Sequence, residues 1–356
     1  MTIAVRSFAK INLGLYIGAA RPDGYHELRT VYQTIALHDM IRVTVSRGGG
    51  IEIVCPNANK DPRVPLDSSN TCYRIAERVL DELGGTGRVR IRIEIDKRLP
   101  VQGGLGAASS NAVATMLALE LALKKTPVVK KKLSSPARLR IASEVGSDLP
   151  LFLVGGTTLG VGRGEEVYPL PDFPSVPMVV VTPDVGVSTA RAFGDWDALM
   201  QRENAAELGS AGRTRASATR AVSGVERLTR LEGSDRLTEV GRVLSAWLCS
   251  YPNTGASAKG GSRAGNLLSD LVRTGIENDF ERVVFPQYPD LRDMKCALER
   301  AGSLYASLSG SGSTLYGLFP SPADAAKAVK RLREQGLKAV ATNTLTRQQY
   351  WKRFFE

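Results

Sequence analysis

Between Ile91 and Leu123 the chain passes through three regimes, and few folds accommodate them in that order. IRIEIDKRL (91–99) alternates apolar and charged residues with a period of two, the pattern of a strand with one face in a core. PVQGGLGAASSN (100–111) then discards nearly every large side chain. From Asn111 to Leu123 the residues are apolar almost all round, with Glu120 the single charge, which predicts a helix buried on every side.

A strand, a bare loop and a buried helix place the loop's peptide amides at a helix start. The first N–H groups there lack intrahelical partners and the dipole end is positive. Small residues let phosphate oxygens approach such amides closely. Pro100, Gly103, Gly104, Leu105, Gly106, Ala107, Ala108, Ser109 and Ser110 are therefore the candidate phosphate-holding residues. A tight turn that merely connects strand to helix is the competing reading. The chain has no Gly-Lys pair, which excludes a Walker-type loop, and Gly104, Gly106 and Ser109 match the dinucleotide fingerprint poorly. The H-R-D and D-F-G motifs of protein kinases are absent.

The remaining chain bounds the answer. Its 356 residues allow two domains, and no run of about 18 apolar residues occurs to cross a membrane. MTIAVRSFAKINLGLYIG reads as a strand rather than a signal peptide, so a cytoplasmic protein is expected. Two histidines and four scattered cysteines leave little material for metal sites or Ser-His-Asp chemistry. A net charge of +11 attracts anions of any kind, nucleic acid included. The densest basic run, KKTPVVKKK (124–132), has no interleaved aromatic residue and reads as a solvated loop.

Periodicity predicts strands over 3–17, 29–36, 40–46 and 177–183, and strand, glycine turn, strand over 303–319. On the first strand Lys10 and Asn12 point the same way. Helices are predicted over 69–83, with Ser69 or Asn70 as cap, and over 135–145; ADAAKAVKRLREQGLKAVATNTL (323–345) reads as helix then strand. GSAGRTRASATRAVSG (209–224) predicts that an inserted, partly mobile segment occupies roughly 200–265, with LTEVGRVLSAWLCS (237–250) a helix inside it.

Four segments in fixed order, FAKINLGLYIGAARPDGYHEL (8–28), PVQGGLGAASSNA (100–112), VGSDLPLFLVGG (145–156) and SLSGSGSTLYGLF (307–319), resemble the GHMP family of small-molecule kinases. NDFERVVFPQYPDL (278–291) is similar to the family's C-terminal region. The resemblance implies an α+β chain of two domains. These would be a ribosomal-protein-like, ATP-binding N-terminal domain over 1–165 and a ferredoxin-like C-terminal domain over 166–356. Within the family the DGYHEL piece (23–28) separates the kinases of a cytidine-diphosphate-linked polyol from those of homoserine, mevalonate and galactose, so the resemblance further implies ATP-dependent phosphorylation of that polyol's 2-hydroxyl in non-mevalonate isoprenoid synthesis, with Mg²⁺ on the phosphates.

By the same resemblance Asp148 is the general base and Lys10 contacts both base and transferred phosphate. From the residues alone, Asp148 reads equally as the cap of the turn LPLFLV. Tyr25 and His26 would hold the pyrimidine, Tyr32 and Phe193 add aromatic contacts, and Asn12 and Thr189 add polar ones. Asn70 and Lys97 would lie on the adenine side. The metal ligands are not named by the pattern, although Ser109 and Ser110 are nearby hydroxyls. Gln102 and the pair Ala107-Ala108 depart from the family's small and glycine residues, and the alanines fit only where φ stays negative. A monomer or homodimer acting on a small molecule is expected, with neither nucleic acid nor membrane as partner. Another alcohol substrate, or a basic nucleic-acid-binding protein on the same fold, are the alternatives.

Overall fold

The computed structural model describes residues 1–57, 63–101, 103–126, 129, 131–210 and 276–355. The chain divides into two interleaved compact units, one of residues 1–11, 30–175 and 342–356, the other of 12–29 and 176–341. The single boundary expected at 165/166 is thus replaced by four crossings of the chain. The expected insert lies mostly outside the described residues, as do its inner helix over 237–250 and Gln102.

The first unit is built on a sheet ordered β3-β4-β2-β5-β6, with β1 also pairing β2. The strands are β1 (Thr2–Ala20), β2 (His26–Arg47), β3 (Ile51–Val54), β4 (Val89–Asp96), β5 (Thr157–Val161) and β6 (Glu166–Pro169). β4 keeps its alternation, Val89, Ile91, Ile93 and Ile95 being buried while Arg90 and Arg92 are exposed. β1 does not alternate: every residue from Ser7 to Gly18 is buried. The two strands expected over 29–36 and 40–46 are one continuous strand, β2. A carboxylate inside a sheet is costly unless its lone pairs are met. Here the Asp39 carboxylate is matched by donors and the strand runs on.

Four helices of this unit are α1 (Thr71–Leu83), α2 (Ala107–Lys124), α3 (Ser135–Val145) and α4 (Leu149–Val154). Asn70 caps α1, its side chain accepting from the Cys72 amide. α2 is the helix buried nearly all round, and its apolar residues join those of α1, α3, α4 and the sheet in one core. A C-terminal helix that the hydrophobic pattern does not announce, here numbered α9 (Arg347–Phe354), belongs to the same unit. A capping box between Thr346 and Gln349 starts it, and it sends Tyr350 and Phe354 into the core.

The second unit carries β7 (Pro177–Val181), β8 (Tyr305–Leu308), β9 (Leu315–Leu318) and β10 (Ala339–Asn343) in the order β10-β7-β9-β8. Its described helices are α5 (Thr189–Ser210), α6 (Glu281–Gln287), α7 (Pro289–Arg300) and α8 (Pro322–Glu334). Val179, Val181, Leu308 and Leu315 of the sheet pack with Trp196, Leu298 and Leu332 of the helices. The turn Ser309–Ser313 joins β8 to β9 as an antiparallel hairpin.

Leu119 lies in the middle of α2 with no exposed surface. Leu119→Ala should lower the unfolding free energy by about 2–5 kcal/mol, whereas Leu139→Ala on the exposed side of α3, where the leucine is 42% exposed, should change it by less than about 0.5 kcal/mol. Urea titration of the two variants measures both.

Candidate active site

α2 begins without a side-chain cap. Its N-cap residue is Gly106, at φ +66°, and the first intrahelical bond is donated by Ser110 to the Gly106 carbonyl. The amides of Ala107, Ala108 and Ser109 precede that bond. Ala107 and Ala108 are helical, so their methyl groups cost the backbone nothing. The left-handed positions fall on Gly104 and Gly106 instead. A Cβ on Gly106 would also lie 3.0 Å from Lys10 Cγ and 3.1 Å from Phe152 Cζ.

Ala107, Ala108 and Ser109 line a cavity of about 310 Å³. Its walls include Pro100, Gly103, Gly104, Leu105, Gly106, Ala107, Ala108 and Ser109, together with Asn70 and Lys97. The sequence reading missed Arg63, Val64, Pro65, Ser69, Thr71, Cys72, Ile95, Val101 and Asn111, which complete the lining. Both α1 and α2 start at this cavity, and the Thr71 hydroxyl ties them by donating to the Ala108 carbonyl at 3.0 Å. Burial pushes the Cys72 thiol up to about 12, so it presents no nucleophile there.

Three expected contacts differ in detail. Ser110 does not line the cavity: it is 2% exposed and its hydroxyl accepts from Ser7 Oγ at 2.6 Å. The polar atoms of Asn70 serve the protein, its amide oxygen capping α1 and its Nδ2 donating to the Pro65 carbonyl. The Lys97 ammonium sits on Asp39 at 2.7 Å. Asp39, with no exposed surface, also accepts from the amides of Arg98 and Leu99 and from Asn111 Nδ2 at 2.6–2.9 Å. One carboxylate therefore joins the strand exit before the glycine loop to the helix after it.

Lys10 connects the loop to a second carboxylate. Its amide donates to the Leu105 carbonyl at 3.0 Å, and its ammonium lies 3.2 Å from Asp148 Oδ2. Asp148 occupies the N-cap position of α4 yet makes no capping bond. Its side chain turns instead to Lys10 and to the Tyr32 hydroxyl, which donates to Oδ1 at 3.1 Å. Lys10 also stands over the Tyr32 ring, 5.4 Å from its centroid. Tyr32 was expected to be an aromatic ligand contact; it is 2% exposed and its hydroxyl is spent on Asp148.

The second unit holds its own polar and aromatic cluster. The His26 ring stacks on Phe193 with centroids 4.9 Å apart and planes 10° apart, and its Nε2 meets Asp197 Oδ1 at 2.7 Å. Phe193 in turn meets the edge of Phe280. Asp197 had no signal in the sequence beyond its place on α5, four residues after Phe193. Tyr25 is 51% exposed on the preceding turn. The Thr189 hydroxyl pairs with Ser311 Oγ of the β8–β9 turn at 2.8 Å. Asn12 is buried, and its carbonyl accepts from the Tyr316 hydroxyl at 2.7 Å. Among the described residues no group of three or more His, Cys, Asp or Glu gathers to cage a metal, and no helix is long and apolar enough to cross a membrane.

Comparison with known proteins places this geometry. Residues 70–156 match the model of the GHMP kinases N terminal domain, and residues 262–338 that of the GHMP kinases C terminal. A 4-diphosphocytidyl-2-C-methyl-D-erythritol kinase of Solibacter usitatus is 35% identical over 88% of this chain and 80% of its own length. The enzyme of that name from Pseudarthrobacter chlorophenolicus is 31% identical over 96% of this chain and 92% of its own. Among solved structures, a 4-(cytidine 5'-diphospho)-2C-methyl-D-erythritol kinase aligns with TM-score 0.61 at 26% identity, covering 96% of this chain and 99% of that one. A homoserine kinase from Cytophaga hutchinsonii aligns with TM-score 0.65 at 21% identity over 98% and 96%, a likeness of fold.

Removing the Asp39 carboxylate strands a buried ammonium and three further donors. Asp39→Ala should therefore cost about 3–5 kcal/mol of stability, read by chemical denaturation. Asp39→Asn, which keeps the shape and one acceptor, should cost less.

Proposed function

The chain belongs to the GHMP kinase family, and we propose that it transfers the γ-phosphate of ATP to the 2-hydroxyl of 4-diphosphocytidyl-2-C-methyl-D-erythritol. One observation carries the chemistry: the Lys10–Asp148 pair adjoins the uncapped start of α2, with Lys10 bonded to the loop through its own amide. The identity of the alcohol rests on the relatives named above and on the DGYHEL segment.

Phosphoryl transfer asks a protein for positioning and charge rather than covalent chemistry. The cavity's volume falls within the range of nucleotide-sized sites, and its walls combine apolar side chains with the amides of Ala107, Ala108 and Ser109. Those amides hold the phosphates. Asp148 accepts the proton of the attacking hydroxyl, and Lys10 counters negative charge on the phosphoryl group in flight. Magnesium, when bound, neutralises phosphate oxygens and orients them for in-line attack. It would need only one or two protein ligands beside phosphate and water. The Ser109 hydroxyl lines the cavity and suits that role, whereas Ser110 is occupied by Ser7.

In the second unit the stacked His26 and Phe193, with Tyr25, supply flat faces and a hydrogen-bonding edge for a pyrimidine. Asn12 and Thr189 are the polar contacts proposed for the rest of that substrate. We place the enzyme in the cytoplasm, acting as monomer or homodimer without nucleic acid.

A coupled ADP-release assay should give saturable turnover with the cytidyl alcohol and none with mevalonate, homoserine or galactose. Turnover of one of the latter instead would reject the substrate. Asp148→Asn should lower kcat by about 10²–10⁴-fold, and His26→Ala should raise the KM of the cytidyl alcohol far more than that of ATP.

A further inference from the structure

We propose that Tyr32 is a positioning residue for the proton-accepting carboxylate: its phenol fixes Asp148 through Oδ1 while Lys10 holds Oδ2. The proposal rests on the reading of Asp148 as the base, and it replaces the aromatic-contact role expected for Tyr32.

Asp148 receives no bond from the helix it starts, and a third of its side chain is exposed. A carboxylate so placed has several rotamers within reach unless neighbours select one. Two do. Lys10 Nζ lies 3.2 Å from Oδ2 and the Tyr32 hydroxyl 3.1 Å from Oδ1. The two donors differ in what else is asked of them. Lys10 is bonded to the loop through its amide and its stem passes beside Gly106, so a phosphate held by the loop competes with Asp148 for its ammonium. The phenol has no such competitor, and it goes on orienting Asp148 when Lys10 is shared.

The fold seats that phenol with care. Tyr32 is 2% exposed and pairs with Thr158 across β2 and β5. Two residues along β5, a Cβ on Gly160 would lie 2.4 Å from Tyr32 Cε2. A Cβ on Gly164, in the following turn, would lie 2.5 Å from the Tyr32 hydroxyl oxygen. Both positions are bare, and the ring occupies the space. Burial, then the adjacent charges of Asp148 and Glu165, hold the phenol well above its ordinary range, so it remains a protonated donor. Glu165 itself is engaged by the Arg163 amide and guanidinium at 2.7 and 2.9 Å. Among the described residues, Asp148 and Glu165 are the charges acting on the phenol, and Lys10 stands over its ring.

Tyr32→Phe keeps the ring and removes only the donor. Steady-state kinetics of four proteins, wild type, Tyr32→Phe, Asp148→Asn and the double variant, give the test. A positioning role predicts kcat about ten-fold lower in Tyr32→Phe, as for a lost hydrogen bond to a charged group, with both KM values within about two-fold. Because the effect acts through Asp148, adding Tyr32→Phe to Asp148→Asn should lower the residual rate by less than about two-fold. Three results overturn the proposal: kcat of Tyr32→Phe within two-fold of wild type, a loss confined to the KM of the alcohol, or the full ten-fold penalty persisting beside Asp148→Asn. Should wild type fail to turn over the cytidyl alcohol, the substrate reading fails by itself. The same four-way comparison, run with the alcohol that the enzyme does phosphorylate, then decides the role of Tyr32.

Discussion

The first unit depends on how one dry carboxylate is satisfied. Asp39 has no contact with solvent, and an ionised group in that position is tolerated only when its lone pairs are met. Four donors meet them, two of them backbone amides at the end of the strand that leads into the glycine loop, one from Lys97 and one from Asn111 inside α2. A loop stripped of side chains has almost nothing of its own with which to hold a shape. Here its two ends are tied to the same carboxylate, and its interior needs only the conformational freedom of Gly104 and Gly106. The frame thus leaves the amides of Ala107, Ala108 and Ser109 ahead of the first intrahelical bond.

Lys10 links that frame to Asp148. A single residue of β1 bonds the loop through its backbone, crosses Gly106 with its side chain and ends on Asp148. The absence of a Cβ at Gly106 is what lets the aliphatic stem pass so near the helix start. Buried cations are expensive unless paired, and Lys10 is 4% exposed, so its pairing with Asp148 and its place over the Tyr32 ring are conditions of its being there.

Most of this fold was legible because hydrophobic period and turn chemistry agree along it. The alternation of β4, the all-round apolar α2, the Asn70 cap and the hairpin around Ser309–Ser313 each declared themselves. Where the reading failed, a long-range contact had overruled a local signal. β2 runs through Asp39 because its donors come from residues 97–111, far along the chain. β1 is buried continuously although its sequence alternates. α9 has so few apolar residues that only its capping box gives it away. The site shows the same division. The glycine loop that lines the cavity was visible in the residues themselves, and the pair Lys10 and Asp148 was singled out through family likeness. The hydroxyl of Tyr32, the partner Asp197 of His26 and the inward turn of Ser110 depend on packing that no spacing encodes.

The crossing of the chain between units at Ile11 and again at Ala341 has a consequence for biosynthesis. Tyr350 and Phe354 are core residues of the unit that begins with Met1, yet they are translated after every residue of the other unit. On the ribosome the unit that starts first must therefore finish last, its core waiting for Tyr350 and Phe354 while roughly a hundred and sixty intervening residues are made. Vectorial synthesis favours early folding of N-terminal domains; this arrangement denies the nascent chain that order.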